Sequence, residues 1–150
     1  MADAKASRPT PARRADFSYF VEITTRWADN DPYGHVNNAV YYFYFDTVVN
    51  RFLIERGGLD IQKSAVIGLV VETQCNYFSP MAYPDTVHAG LRVEHLGNSS
   101  VRYGIGLFRN DDDLASAQGH FVHVYVDRAS NKPVKLPEKL RNAVEGLLRK

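Results

Sequence analysis

The chain has 150 residues, of which 45% are hydrophobic and 23% charged, and its formal net charge at pH 7 is +1. This composition indicates one globular domain with a sizeable core, and the near-neutral charge argues against binding to nucleic acid. The single cysteine, Cys75, excludes an intrachain disulfide and fits a reducing cytoplasm, where we expect the protein to reside. No segment reaches the roughly 18 apolar residues that a membrane span needs.

The first sixteen residues are rich in Ala, Arg and Pro and contain no long apolar stretch. They predict a disordered tail over residues 1–16, without a secretory signal, followed by a single domain over residues 17–150. Residues 17–27 alternate loosely and are rich in β-forming side chains, which predicts a first strand.

Residues 26–38, with the sequence RWADNDPYGHVNN, concentrate polar groups between this strand and an aromatic run. The Asp-Pro-Tyr-Gly sequence at residues 31–34 predicts a turn, because Pro fixes φ and Gly tolerates a positive φ. Either Asn37 or Asn38 is suited to cap the helix that follows. Asp31 therefore lies close to a helix N-terminus, where free N–H groups and the helix dipole can polarise a carbonyl group.

From about residue 38 to residue 56 the apolar residues recur at helical spacing, and the first half of this helix is apolar nearly all round. Such a helix is expected to be buried on most sides. Four strands are predicted next, at residues 65–77, 86–96, 100–109 and 116–127, with turn sequences that favour antiparallel neighbours. A surface helix is predicted over residues 137–149. The order of elements indicates an α+β protein with an antiparallel sheet.

The sequence DNDPYGHVNN at residues 29–38 resembles the D-x-D-x-x-G-H/I-V signature of the 4-hydroxybenzoyl-CoA thioesterase family. Its His-Val-Asn-Asn ending is also similar to plant acyl-carrier-protein thioesterases and their bacterial acyl-CoA relatives. The resemblance extends from about residue 17 to the C-terminus. It implies the hotdog fold, in which an antiparallel β-sheet wraps around a long central α-helix.

The resemblance implies an enzyme that hydrolyses an acyl-CoA thioester to a carboxylic acid and CoA. Asp31 matches the catalytic carboxylate of the family pattern. It could attack the thioester carbonyl directly or take a proton from an attacking water, and the sequence leaves both routes open. The start of the helix near Asn38 is expected to polarise the substrate carbonyl with its backbone N–H groups.

His35 matches the histidine that the related plant enzymes use in catalysis. Those enzymes carry an Asn two residues before it, where this chain has Tyr33. A catalytic role for His35 and a structural hydrogen bond that holds the loop therefore both remain open. Asp29 is predicted to brace the loop by pairing with Arg26.

A CoA thioester also needs its nucleotide to be bound. Related proteins do this with basic and small polar residues around the middle hairpin and the last strands. The matching candidates for substrate binding, together with Tyr33 beside Asp31, are Asn98, Ser99, Ser100, Arg102, Arg128 and Lys132. An acyl-carrier-protein thioester is a close variant of this substrate. Hotdog relatives build each active site from two subunits, which implies a homodimer or homotetramer.

The sequence contains no His or Cys spacing typical of a metal site and no glycine-rich nucleotide loop, so we predict neither a metal nor a cofactor. His120 and His123 are three residues apart on a predicted strand and should point to opposite faces. Two other functions stay open. Residues 29–35 loosely resemble the D-x-N-P-x-H stretch of hotdog hydratases and dehydratases, and a non-catalytic acyl-binding protein is possible because a fold does not fix a function.

Overall fold

The computed structural model describes residues 8–149 and contains one five-stranded antiparallel sheet and two α-helices. The strands are β1 (Tyr19–Thr24), β2 (Val66–Tyr77), β3 (Thr86–Leu96), β4 (Ser100–Arg109) and β5 (Ala117–Asp127), and the helices are α1 (Val40–Glu55) and α2 (Glu138–Glu145). The strand order across the sheet is β1-β3-β4-β5-β2. The predicted α+β fold, a sheet around a long helix, is confirmed. Within residues 8–149, no helix is long and apolar enough to cross a membrane.

Helix α1 packs on one face of the sheet through a stripe of seven buried residues: Tyr41, Tyr44, Phe45, Val48, Val49, Phe52 and Leu53. Their spacing of three and four residues puts them on one side of the helix, against inward-facing residues of the sheet such as Leu91, Tyr103 and Ile105. The sequence predicted a helix that is buried on most sides, and in the single chain this prediction is wrong. Phe43 and Ile54 lie on its other side and are 68% and 48% exposed in the single chain.

Strand β2 forms one edge of the sheet and pairs only with β5 among the described strands. It is twelve residues long, and a bulge interrupts its register between Val70 and Glu72. Three consecutive apolar side chains at this edge, Leu69, Val70 and Val71, are exposed. A long edge strand with exposed apolar residues is a surface that native proteins usually cover.

The predicted disorder of residues 1–16 is wrong for residues 8–16, which pack on the face of the sheet opposite to α1. The Ala12 N–H donates to Gln118 Oε1 at 2.6 Å, and the Arg14 guanidinium lies 5.2 Å from the centre of the Phe108 ring. The segment binds through isolated contacts to distant strands, so it carries none of the periodicity that would reveal it in the sequence. Residues 1–7 of the predicted tail lie outside the described residues.

Deletion of residues 1–14 should therefore lower the melting temperature by about 5 °C, because it removes these hydrogen bonds and uncovers Phe108. Thermal unfolding followed by circular dichroism on the full and truncated chains measures the shift. Gln118→Ala in the full chain should reproduce only the part that is due to the hydrogen bonds of Gln118 with Ala12 and with the Thr10 carbonyl. An unchanged melting temperature in the truncated chain would show that the segment does not stabilise the fold.

Candidate active site

The segment between β1 and α1 folds into a compact loop at one end of the sheet. The Asp31 N–H donates to the His35 carbonyl at 2.8 Å, and the Gly34 N–H donates to the Asp31 carbonyl at 3.0 Å. Gly34 has a φ of +85°, which other residues rarely adopt. The predicted turn is therefore confirmed. Its bonds are all local, which is why the sequence predicted it.

Asp29 ties this loop to α1 from a position that is only 2% exposed. Its carboxylate accepts hydrogen bonds from the Arg26 N–H at 2.9 Å, the Arg26 guanidinium at 3.0 Å and the Tyr44 hydroxyl at 2.9 Å. Burial acts to raise the pKa of Asp29, but these hydrogen bonds together lower it below its ordinary value. The pairing with Arg26 is as predicted, and Tyr44 is an additional partner.

Asp31 lies half-buried in the turn and keeps part of its carboxylate available. Its Oδ1 accepts the Tyr33 N–H at 2.9 Å. Its Oδ2 has no hydrogen-bond partner within residues 8–149. No Lys or Arg forms an ion pair with this carboxylate in the described part of the chain. A carboxylate oxygen without a protein partner can accept a proton from water or act as a nucleophile.

Helix α1 begins at Val40, two residues later than predicted, because Asn37 forms a turn ahead of it. The Asn37 side chain accepts the Ala39 N–H at 2.9 Å, and its carbonyl accepts the Val40 N–H at 2.9 Å. The Asn38 N–H has no partner in the described part of the chain. It is a free donor at the positive end of the helix dipole, an arrangement suited to binding a developing oxyanion.

Tyr77, at the end of β2, fixes the position of this donor. Its hydroxyl donates to the Asn38 carbonyl at 2.8 Å. Nothing in the sequence pointed to this contact, which joins residues 39 positions apart. The neighbouring Cys75 is a poor nucleophile, because burial raises the pKa of its thiol to about 11.

His35 and Tyr33 both face solvent. Tyr33 is 87% exposed, and the His35 ring forms no hydrogen bond with any residue from 8 to 149. The loop is held by the His35 carbonyl instead of its side chain, so the structural hydrogen bond considered for the ring is absent. Both side chains remain free to contact a ligand bound at Asp31.

The remaining predicted binding residues do not lie beside Asp31 in one chain. Asn98, Ser99 and Ser100 form the β3–β4 hairpin, and Arg128 and Lys132 follow β5, all at the opposite end of the sheet. Strands of ten or eleven residues separate the two ends by about 33 Å. These residues can act with Asp31 only if a second chain contributes them.

Arg102 is on the face of the sheet opposite to α1. Its guanidinium contacts Glu94 at 3.2 Å and His120 at 3.0 Å. His120 is on that same outer face, whereas His123 is buried on the α1 side, as their spacing predicted. Among residues 8–149, no group of three or more His, Cys, Asp or Glu side chains is arranged to hold a metal ion.

The class of protein follows from the fold, an antiparallel sheet packed on one long helix, and from the sequence. Residues 25–144 match the thioesterase-like superfamily, and the chain belongs to that superfamily. The PA5185 protein of Pseudomonas aeruginosa has a solved structure that is 54% identical to this chain, with a TM-score of 0.92 over 95% of this chain and 99% of that one.

Two further relatives carry functional names. The PA2801 protein of Pseudomonas aeruginosa, titled "a putative Thioesterase", is 30% identical with a TM-score of 0.77, over 83% of this chain and 96% of that one. A Bacillus subtilis protein named "Putative acyl-CoA thioesterase YneP" is 27% identical over 76% of this chain and 83% of its own length.

Proposed function

We propose that this protein is a thioesterase of the 4-hydroxybenzoyl-CoA thioesterase type that hydrolyses an acyl-CoA to a carboxylic acid and CoA. The observation that carries the proposal is that Asp31 Oδ2 and the Asn38 N–H, in the same loop, have no partner among residues 8–149. Membership of the thioesterase-like superfamily and the name of the Bacillus subtilis relative support this chemistry.

In the proposed mechanism, the thioester carbonyl oxygen accepts the Asn38 N–H at the start of α1. Negative charge that develops on this oxygen is stabilised by that donor and by the helix dipole. Asp31 either attacks the carbonyl carbon or removes a proton from the attacking water. The carbon–sulfur bond then breaks and the CoA thiolate leaves. In the general-base route the thiolate takes up the proton that Asp31 removed from water; in the nucleophilic route water hydrolyses the mixed anhydride on Asp31, which releases the carboxylic acid, restores the Asp31 carboxylate and supplies the proton for the thiolate. His35 and Tyr33 are proposed to orient the substrate from the exposed side of the loop.

We also propose a homodimer in which β2 pairs with β2 of a second copy. Tyr77, at one end of β2, contacts the Asp31 loop through Asn38, and Val66, at the other end, pairs with Asp127 next to Arg128. Antiparallel pairing of two β2 strands would reverse these ends. The hairpin, Arg128 and Lys132 of the partner subunit would then approach Asp31 and could bind the CoA nucleotide.

A charge at the exposed edge tests this dimer. Val71→Lys should convert the protein to a monomer and abolish most of its activity, because a lysine ammonium would be buried without a partner between the two β2 strands. Sedimentation velocity at micromolar concentration gives the oligomeric state. Leu114→Lys, at an exposed apolar residue away from β2, is the matched control and should remain dimeric. A monomeric wild-type protein with full activity would contradict the proposal.

The function itself is tested with a panel of aryl, short, medium and long acyl-CoAs, together with acyl-carrier-protein thioesters. Hydrolysis releases a free thiol, which a thiol reagent detects continuously. A hydratase would alter the acyl group without releasing thiol, and a binding protein would neither alter the acyl group nor release thiol. Binding of acyl-CoA without release of thiol from any member of the panel would exclude the thioesterase.

A further inference from the structure

A second polar site lies between the middle of α1 and the start of β2, away from the Asp31 loop. Here an open cavity of about 480 Å³ has apolar walls that include Leu53, Leu59 and Ile67. Its polar lining includes Asp46 and Asn50 of α1 and His123 of β5. Apolar walls with a few convergent polar groups are the usual composition of a small-molecule site.

His123 is the polar group at the base of this cavity and is only 3% exposed. Its Nδ1 lies 3.1 Å from the Tyr125 hydroxyl, which in turn lies 2.7 Å from the Tyr103 hydroxyl. Gly68 permits this placement, because a Cβ at that position would lie 2.6 Å from His123 Nδ1. The imidazole is therefore held by the fold from below and opens toward the cavity.

The direction of these hydrogen bonds follows from counting protons. If Tyr103 donates to Tyr125 and Tyr125 donates to His123 Nδ1, both hydroxyl protons are used. The reverse direction would leave the Tyr103 proton unpaired in a fully buried position, which is costly. His123 then carries its proton on Nε2. Burial also lowers the pKa of His123 to about 4, which keeps the ring neutral.

The Nε2 of His123 has no protein partner within residues 8–149. In that range Arg92 Nε is the one side-chain nitrogen or oxygen that is both fully buried and without a partner, so His123 Nε2 is not fully buried. Because His123 lines the cavity, its Nε2 proton is available there as a hydrogen-bond donor. Asp46 is an exposed residue that lines the same cavity; it accepts the Asn50 side-chain N–H on Oδ1 at 3.0 Å, and its Oδ2 has no partner among the described residues.

We propose that this cavity binds the distal end of the acyl group and selects acyl chains that end in a hydroxyl. A hydroxyl can accept a hydrogen bond from His123 and donate one to Asp46, which satisfies both groups at once. A methyl end would leave the buried His123 donor unpaired, and a carboxylate would face the like charge of Asp46. The inference rests on the proposed thioesterase function.

The position of the cavity along α1 fits this role. Asp46 and Asn50 are six and ten residues beyond Val40, which corresponds to about 9–15 Å from the start of the helix. A medium-length acyl chain whose thioester lies at Asn38 can cover that distance along the helix. Arg128 closes the outer wall, because its Nε donates to the Ser64 carbonyl at 2.8 Å.

Hydrolysis of matched acyl-CoAs tests the proposal. The panel contains medium-length acyl-CoAs of equal chain length that end in a hydroxyl, a methyl or a carboxyl group. The wild type should prefer the hydroxyl over the methyl end by roughly tenfold in kcat/KM, the effect of a hydrogen-bonded site. His123→Phe and Asp46→Ala should each bring that ratio close to one. His95→Phe, at an exposed histidine of β3, should leave it unchanged. Equal rates for hydroxyl and methyl ends in the wild type would overturn the proposal.

A binding measurement separates this proposal from the thioesterase itself. A medium-chain alkanol should shift the ¹H–¹⁵N resonance of the His123 imidazole in wild-type protein, and Asp46→Ala should weaken that binding. If no thioester is cleaved but the alkanol still shifts the resonance, the proposed function fails and the polar cavity stands. If thioesters are cleaved but the alkanol leaves the resonance unmoved, the cavity proposal fails alone. The wild-type spectrum decides this even if His123→Phe does not fold.

Discussion

Asp31→Asn should lower kcat for thioester hydrolysis by roughly 10²–10⁴, the range typical of losing a general base, with little change in KM or melting temperature. Asparagine has nearly the same shape, and its side-chain oxygen can still accept the Tyr33 N–H that Asp31 Oδ1 accepts at 2.9 Å. What it lacks is the basic Oδ2 oxygen, which has no partner in the described part of the chain. The substitution therefore removes the proposed base or nucleophile and preserves the turn.

Steady-state kinetics and thermal unfolding on the same preparation measure both effects. Asp60→Asn is a matched control, because Asp60 Oδ1 accepts the N–H two residues ahead in the same geometry, at 3.0 Å from Gln62. It should change neither quantity. His35→Ala should cost less activity than Asp31→Asn if the ring only orients substrate. A folded Asp31→Asn protein with a near-normal turnover rate would refute the mechanism.

Asp29→Ala, in contrast, should lower stability more than turnover. We expect a loss of about 3 kcal/mol in the free energy of unfolding and about 10 °C in melting temperature. The loss arises where the Tyr44 hydroxyl and the Arg26 N–H lose their buried acceptor. The ion pair with the Arg26 guanidinium adds little, because that side chain is 74% exposed. The folded fraction of this variant should retain most of its turnover, because Asp31 is unchanged.

The stabilisation by Asp29 should also depend on pH. Its folded-state pKa is below the ordinary value of 3.8, so its contribution is fully present above that pH and is lost as the pH falls through the folded-state pKa. Urea unfolding of wild type and Asp29→Asn, from neutral pH to below 3.8, measures this difference. The two proteins should converge in stability at the acidic end. A gap that stays constant with pH would mean that the charge of Asp29 contributes nothing.

Most of the secondary structure was predictable because it follows from local patterns. The strands at residues 65–77, 86–96, 100–109 and 116–127 were predicted to within about a residue of their observed ends. The start of α1 was predicted two residues early, because Asn37 makes an additional turn before the helix. The periodicity of a helix and the alternation of side chains in a strand can be recognised from neighbouring residues, and turn sequences mark where these elements end.

The sequence by itself determined the turn at residues 31–34 and the pairing of Asp29 with Arg26, and it located the helix start to within two residues. Each depends on residues no more than a few positions apart, on the fixed φ of Pro and on the positive φ that Gly34 accepts. For that reason the candidate catalytic loop could be predicted from the sequence. Its chemistry is encoded in one continuous segment.

Only the tertiary structure decided which distant residues contact that loop and which of the predicted residues lie far from it. It brought Tyr77 to Asn38 and Tyr44 to Asp29, packed residues 8–16 on the outer face, and formed the cavity at His123. It also put the β3–β4 hairpin at the far end of the sheet. These outcomes depend on strand order and register, which join residues tens of positions apart and leave no periodic trace in the sequence.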